Sequence, residues 1–275
     1  SNYTTHLYES HVNPALLGFN FESSDEAFRE VAIDLRFRQA INHAIDRDEI
    51  NQTIYFGLAQ PSAATPSTSD IYDVDKANAL LDEMGMTERD AKGFRKTPSG
   101  KELVIFMTYA EYLAEHTTIN ELLTEYLAEI GLNFTYELVS TDLLGTRTNA
   151  NELMMAIGWA HVPLWSTNGW NDWEPDTIEW SRWANPADEF DGIEPPAEAR
   201  ELWEIFWQRA QLPTGSPEDQ ALYEQMMENY NQNLWRISLF TGLNPLIITN
   251  RLCNIPDSGI GIATNYSMEQ FFFCD

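Results

Sequence analysis

The sequence predicts an α/β fold, and three observations predict it. Strand-like and helix-like apolar patterns alternate between residues 103 and 159, an order that implies right-handed crossovers and a parallel or mixed sheet flanked by helices. Ahead of them stand two consecutive capped helices closed by a glycine and a proline-rich stretch. Behind them the chain is helix-rich until an extended return near its end. With 275 residues and 43% hydrophobic content, the chain can bury one large core or two small ones.

Taken in order, Leu16–Phe21 reads as a strand and Asp25–Val31 as a short helical lead-in. Asp34 is placed to cap a helix whose apolar stripe is Leu35, Ala40, Ile41, Ala44 and Ile45. Asp46 caps a second helix, with Glu49 at the capping-box position and Ile50, Ile54 and Tyr55 on the buried side. Gly57 ends it, and a polar, proline-bearing loop follows from Gln60 to Asp70. Asp73–Met84 is an amphipathic helix stopped by Gly85, and Asp90–Gly100 reads as a hairpin. Leu103–Tyr109 is a strand. Thr118 and Glu121 form a capping box for a helix buried through Ile119, Leu122, Leu123, Tyr126, Leu127 and Ile130, which Gly131 closes. Leu132, Phe134, Tyr136 and Leu138 alternate with polar residues as in a half-buried strand; Thr141–Asn149 is a short helix and Glu152–Trp159 a strand. Further helices begin at Pro195-Pro196 and at Ser216-Pro217-Glu218-Asp219, and Asn233–Thr249 is extended.

Composition narrows the function. A net charge of −27, from 43 acidic against 16 basic residues, leaves no basic stripe to displace counterions, so nucleic acid is not an expected partner. Docking to an anionic membrane surface is disfavoured for the same reason. The charge fits solubility in an extracellular medium, or adaptation to high salt. No apolar run reaches the roughly 18 residues of a transmembrane helix. Cys253 and Cys274 either pair across a short loop or remain thiols. No metal-ligand spacing and no cofactor motif is present, so neither is expected.

One stretch carries a resemblance. RFRQAINHAIDRDEIN, followed by YFGLAQP, resembles the VRQAxxxAIDRxxI–GLGxP signature of the oligopeptide- and dipeptide-binding cluster, the family 5 extracytoplasmic solute-binding proteins of ABC importers. DVDKANALLDEMG resembles that family's YDPEKAxxLLxEAG helix, and DAKGFRKTPSG its DxDGxRxxxxGKPL hairpin, in the family's order. The resemblance implies a lobe of the periplasmic-binding-protein type II fold and a solute, peptide or sugar, held in a cleft between two lobes and delivered to permease subunits outside the cytoplasm. Members are about twice this length and begin with a secretion signal, so the chain is expected to be a C-terminal half whose N-terminal lobe lies elsewhere. Residues 1–22 are then a hinge-proximal strand, 23–243 the ligand-binding lobe, and 244–275 a return segment.

The candidate site lies after the Gly158-Trp159 pair, where the family's chain enters the cleft. Trp159, Trp165, Trp170, Trp173, Trp180 and Trp183 fall close together, interleaved with Asn168, Asn171, Asp172, Glu174 and Asp176, while Pro163, Gly169 and Pro175 argue for loop. Aromatic faces beside amides and carboxylates suit a sugar ring or a peptide; the plainer reading is that half of the tryptophans cover the sheet edge. The expected ligand-binding set is Trp159, Trp165, Asn168, Trp170, Asp172 and Trp173, with Tyr109 and Glu111 at the end of a neighbouring strand. In peptide-binding members an Asp soon after the GW pair holds the peptide's amino group; here Ala160-His161-Val162 follows, which shifts the expectation toward oligosaccharide. No catalytic residue is assigned. GxSxG, HExxH and GxxxxGK[ST] are absent, His6 and His11 fall in an N-terminus expected to fray, and His43 is expected to be packed or surface-facing rather than catalytic. The alternatives are a glycoside hydrolase with paired carboxylates in a tryptophan-lined cleft and a carbohydrate-binding module.

Overall fold

A computed structural model describes residues 2–9, 12–59, 71–110, 113–161, 177–184, 191–240, 243–255 and 271–274. Its centre is a mixed sheet. Strand β1 (Tyr3–Glu9) precedes β2 (Val12–Phe19), and three helices follow: α1 (Glu26–Ala32), α2 (Leu35–Ala44) and α3 (Arg47–Tyr55). Then come α4 (Val74–Glu83), β3 (Val104–Ala110), α5 (Glu115–Glu129), β4 (Asn133–Val139), α6 (Thr141–Asn149) and β5 (Met155–His161). The C-terminal part holds α7 (Ile178–Ala184), α8 (Ala197–Arg209), α9 (Pro217–Asn233), β6 (Arg236–Phe240), β7 (Leu243–Thr249), and the short β8 (Leu252–Cys253) and β9 (Phe272–Phe273).

The strand order is β4-β3-β5-β2-β6, with β3 parallel to both β4 and β5, and β2 antiparallel to β5 and β6. The crossover from β3 to β4 runs outward and that from β4 to β5 runs back past β3. Two right-handed crossovers in opposite directions put α5 and α6 on opposite faces. Contacts agree: the Tyr109 hydroxyl meets Thr117 of α5, whereas Glu137, on the other face of β4, pairs with Arg147 of α6. The first face carries the main core, with Ile105, Met107, Leu17, Ile157, Ile119, Leu123 and Leu127 all buried. The second face is thinly covered, because α6 has no buried residue.

Most expected caps are present. Asp25, Asp34, Asp46, Asp73 and Ser216 each accept a backbone N–H at their helix starts. Glu49 departs from a capping box: its carboxylate accepts the Tyr126 hydroxyl at 2.8 Å and joins α3 to α5. The helix expected to begin at Thr118 begins a turn earlier, after Ala114 with no side-chain cap, and the added turn buries His116. His6 does not fray; it lies in β1 opposite Leu246 of β7. Cys253 and Cys274 form a disulfide, beside the β8–β9 pair. His11 and the Gln60–Asp70 loop fall outside the described residues.

Arginines from the resembling motifs bind the fold together. Arg38 is buried between the Phe21 and Trp235 rings, its carbon centre 5.1 and 5.5 Å from their centroids. It donates to the carbonyls of Ala32, Ile33 and Asn233, so one guanidinium closes the C-termini of α1 and α9. Arg47 donates to Asn42 and to the Ser238 carbonyl of β6. Burial pulls both arginines down to about 10. Arg95 of the hairpin donates to Ile130, Met86, Asp82 and Asn78, fastening α4 to the end of α5.

Candidate functional site: a cavity on the thinly covered face

The second face of the sheet is floored with small residues. The register pairs Gly18 with Ala156 and Leu16 with Gly158. A Cβ at Gly158 would meet nothing within 4 Å, and one at Gly18 would meet only the Ala156 carbonyl at 3.8 Å. A cavity of about 290 Å³ stands over this floor. Leu144 and Thr148 of α6 form one wall, Thr177 and Ile178 at the start of α7 another, and Phe21, Trp235 and Arg236 close an end. A mostly apolar concavity with a few placed polar groups suits a small-molecule site.

The walls are held by polar locks. Asn20 donates to Asn151 Oδ1 at 2.7 Å and to the Leu153 carbonyl at 2.8 Å, and Asn151, with positive φ, donates to the Glu22 carbonyl. These bonds join the end of β2 to the α6–β5 connection. Thr177 caps α7 by accepting from the Trp180 amide. The Trp180 ring is fully buried, stacked on Phe21 at 5.2 Å and edge-on to Trp235 at 6.1 Å. Its indole N–H faces Glu22 at 3.4 Å, and burial raises the Glu22 carboxyl above the usual range.

Of the expected site residues, Trp159 borders the cavity at the C-terminal end of β5 and is 39% exposed. Tyr109 does not reach it. That side chain is 1% exposed on the α5 face, its hydroxyl 2.9 Å from Thr117 Oγ1, because strand alternation turns it away from the floor. Trp180 and Trp183 belong to helix α7 rather than to a loop, and Trp180 is core. Glu111, Trp165, Asn168, Trp170, Asp172 and Trp173 lie outside the described residues. Reading the sequence alone missed Leu144, Thr148, Gly18, Ala156 and Arg236. The available signal was the alternation of small residues, Gly18 in β2 and Ala156 and Gly158 in β5, on one face of two adjacent strands.

This mixed sheet with its side cavity is the architecture of a lobe in extracytoplasmic solute-binding proteins. The sequence profile of the bacterial extracellular solute-binding proteins, family 5 (Middle), matches residues 2–204, and the chain belongs to that family. The family is one of binders, not enzymes, which sets aside the glycoside-hydrolase alternative; the α/β fold sets aside a small β-sandwich module. The structure superposes over 100% of its length on 49% of an oligopeptide-binding protein OppA, with a TM-score of 0.80 and 26% identity. It shares its fold with a stachyose complex of MelB from Agrobacterium fabrum C58, at TM-score 0.74 and 19% identity, covering 93% of this chain and 42% of that one. By sequence it is 32% identical over 117 residues to an ABC transporter peptide-binding protein of Brucella ovis, covering 39% of this chain and 20% of the relative. It is 29% identical over 109 residues to the periplasmic alpha-galactoside-binding protein of Rhizobium meliloti, covering 34% and 15%. The chain therefore spans about half the length of the OppA it superposes on. No helix among the described residues is long and apolar enough to cross a membrane.

Proposed function

We propose that this chain is one lobe of an ABC-importer solute-binding protein, and that the cavity over Gly18, Ala156 and Gly158 is its share of the ligand cleft. The observation that carries the reading is the placement of that cavity beside Trp159, the tryptophan of the Gly158-Trp159 pair. The tryptophan-rich stretch follows β5 in sequence and precedes Thr177, and Trp159 before it and Thr177 after it both line the cavity. Trp165, Asn168, Trp170, Asp172, Trp173 and Glu111 are then proposed contacts. The second lobe, supplied by the rest of the protein, closes over the solute, and the closed form engages permease subunits at the outer face of the cell membrane.

The hinge of this reading is a ribbon. β2 and β6 pair in the sheet, and the same two runs pair again as β1 and β7, from Glu9 opposite Leu243 to Tyr3 opposite Thr249. Of the expected 1–22 and 244–275 segments, the ribbon strands β1 and β7 accordingly serve as the link to the other lobe, whereas β2 joins residues 23–243 in the binding body, since Gly18 floors the cavity.

Peptide and oligosaccharide are both supported as solutes, the first by the peptide-binding relatives and the second by the alpha-galactoside-binding one and by the tryptophans. The test is a thermal-shift screen of the intact two-lobe protein against peptides and alpha-galactosides, repeated on Gly158→Phe. The variant places a ring in the cavity where the backbone leaves space. It should keep its fold and lose the ligand-induced shift; an undiminished shift would sink the cavity as the site.

A further inference from the structure

The cavity has walls of unequal firmness. Its floor is a paired sheet, and the α7 wall stands on the fully buried Trp180. The α6 wall presents Leu144 and Thr148, one helical turn apart. Its nine residues, TDLLGTRTN, include three threonines, a glycine, an aspartate and an asparagine, all weak helix formers. Thr146 and Thr148 turn their hydroxyls back on the carbonyls of Asp142 and Leu144, at 2.8 and 2.9 Å, a bond that bends helices. A helix this short draws its stability from packing, yet α6 buries no residue, whereas α5 buries a stripe from His116 to Leu127. Both ends of α6 are nonetheless fixed. The first follows β4 through Ser140, whose hydroxyl accepts the Leu143 amide at 3.2 Å. The last is held by Arg182, which donates to the Asn149 carbonyl at 3.3 Å, and by the Asn151 bonds to Asn20 and Glu22. Between them lies Gly145, where an added Cβ would meet nothing within 4 Å, and the partly exposed Arg147–Glu137 pair ties this middle stretch to the sheet.

We propose, building on the cleft reading above, that α6 is a yielding strap across the cavity and that Leu144 gauges the size of the solute. Solutes that fit the space leave the strap in place. Bulkier ones press on Leu144 and bow the helix outward at Gly145, between its fixed ends. The displacement costs little, since a partly exposed ion pair contributes little and α6 has no buried side chain to expose. The floor and the Trp180 wall do not give, because a close-packed core resists deformation. Size selection by this lobe is therefore graded, set by how far α6 is pushed, and has no sharp limit.

Hydrogen exchange on the intact two-lobe protein, with no solute added, reads the strap directly. Amides of α6 should exchange at least about a hundredfold faster than those of the buried stripe of α5, and equal rates would overturn the proposal. Gly145→Ala raises helix propensity at an open position, so it should slow exchange in α6 about fivefold and leave α5 unchanged. Titration calorimetry then compares two size-graded series: melibiose, raffinose and stachyose, and tripeptides whose central side chain grows from methyl to indole. In the series that binds, Leu144→Ala should favour the largest member over the smallest by about tenfold more than wild type does. Gly145→Ala should disfavour it by about fivefold. Because Gly145→Ala stiffens the helix, the test stands even where Leu144→Ala fails to fold. A size ranking unchanged by Gly145→Ala, with Gly158→Phe still abolishing binding, would overturn the strap and leave the cleft standing. Binding untouched by Gly158→Phe, or no binding in either series, would overturn the cleft reading and this inference with it.

Discussion

At the scale of single residues, the motif arginines act as polar bolts. Arg38 satisfies carbonyls from two helix ends that no intrahelical donor reaches, and does so inside an aromatic sandwich. Replacing it by Ala leaves three carbonyls of α1 and α9 without these donors and opens a void between Phe21 and Trp235. A loss of about 3 kcal/mol or more is expected, read by urea denaturation. Asp34 permits a pH test. Its hydrogen bond with Arg36, together with the Arg36 backbone N–H it caps, holds its carboxyl below the usual range. The stabilisation is therefore complete above the ordinary carboxylate pKa and is lost as pH falls through the lowered folded value. Asn keeps the cap but not the charge. Asp34→Asn should cost up to about 1 kcal/mol at neutral pH, and the difference from wild type should vanish in acid. A difference that is constant with pH would show that the charge is not the cause.

At the scale of elements, α7 is fixed by two contacts with opposite requirements. Trp180 fills the space beneath it, and Gly192 approaches its backbone so closely that an added Cβ would stand 2.1 Å from the Trp183 nitrogen. Trp180→Ala should cost about 3–5 kcal/mol by leaving a hole, and Gly192→Ala should also destabilise, by forcing α7 away from the 191–193 segment. Differential scanning calorimetry would compare them with the surface change Trp207→Ala, for which little effect is expected. The elements themselves were largely legible. The Asp caps, the closing glycines and the period-two and helical stripes gave the order of strands and helices. What stayed hidden was which face each strand residue meets. Tyr109 and Trp159 look alike as aromatics at strand ends, yet the first is buried under α5 and the second is 39% exposed. Trp180 likewise reads as part of a polar aromatic loop until Phe21 and Trp235, distant in sequence, close around it. The cavity was illegible for a related reason, since a space is defined by the side chains that are missing from several elements at once.

At the scale of the whole molecule, charge weighs most. A net −27 on 275 residues means that folding brings like charges together. The ion pairs at Lys101–Glu26, Arg147–Glu137 and Lys96–Glu88 are partly exposed and offset little of this. Raising sodium chloride from about 0.1 to 1 M shortens the screening length from about 10 to 3 Å. The melting temperature should rise by at least about 3 °C, as followed by tryptophan fluorescence; a flat or falling profile would show that repulsion is not limiting.

The ribbon of β1 and β7 decides how the body can be handled as a part. Its two strands end side by side, with the Asn250 amide donating to the Asn2 carbonyl and the Thr4 hydroxyl to the Asn250 side chain. The described body is thus entered and left through one doorway, a pair of adjacent strands. On the one-lobe proposal, a body joined in this way is a cassette: closing it with a short loop across residues 2 and 250, or exchanging it for another lobe at the same two crossings, is expected to preserve the pairing of its five-stranded sheet.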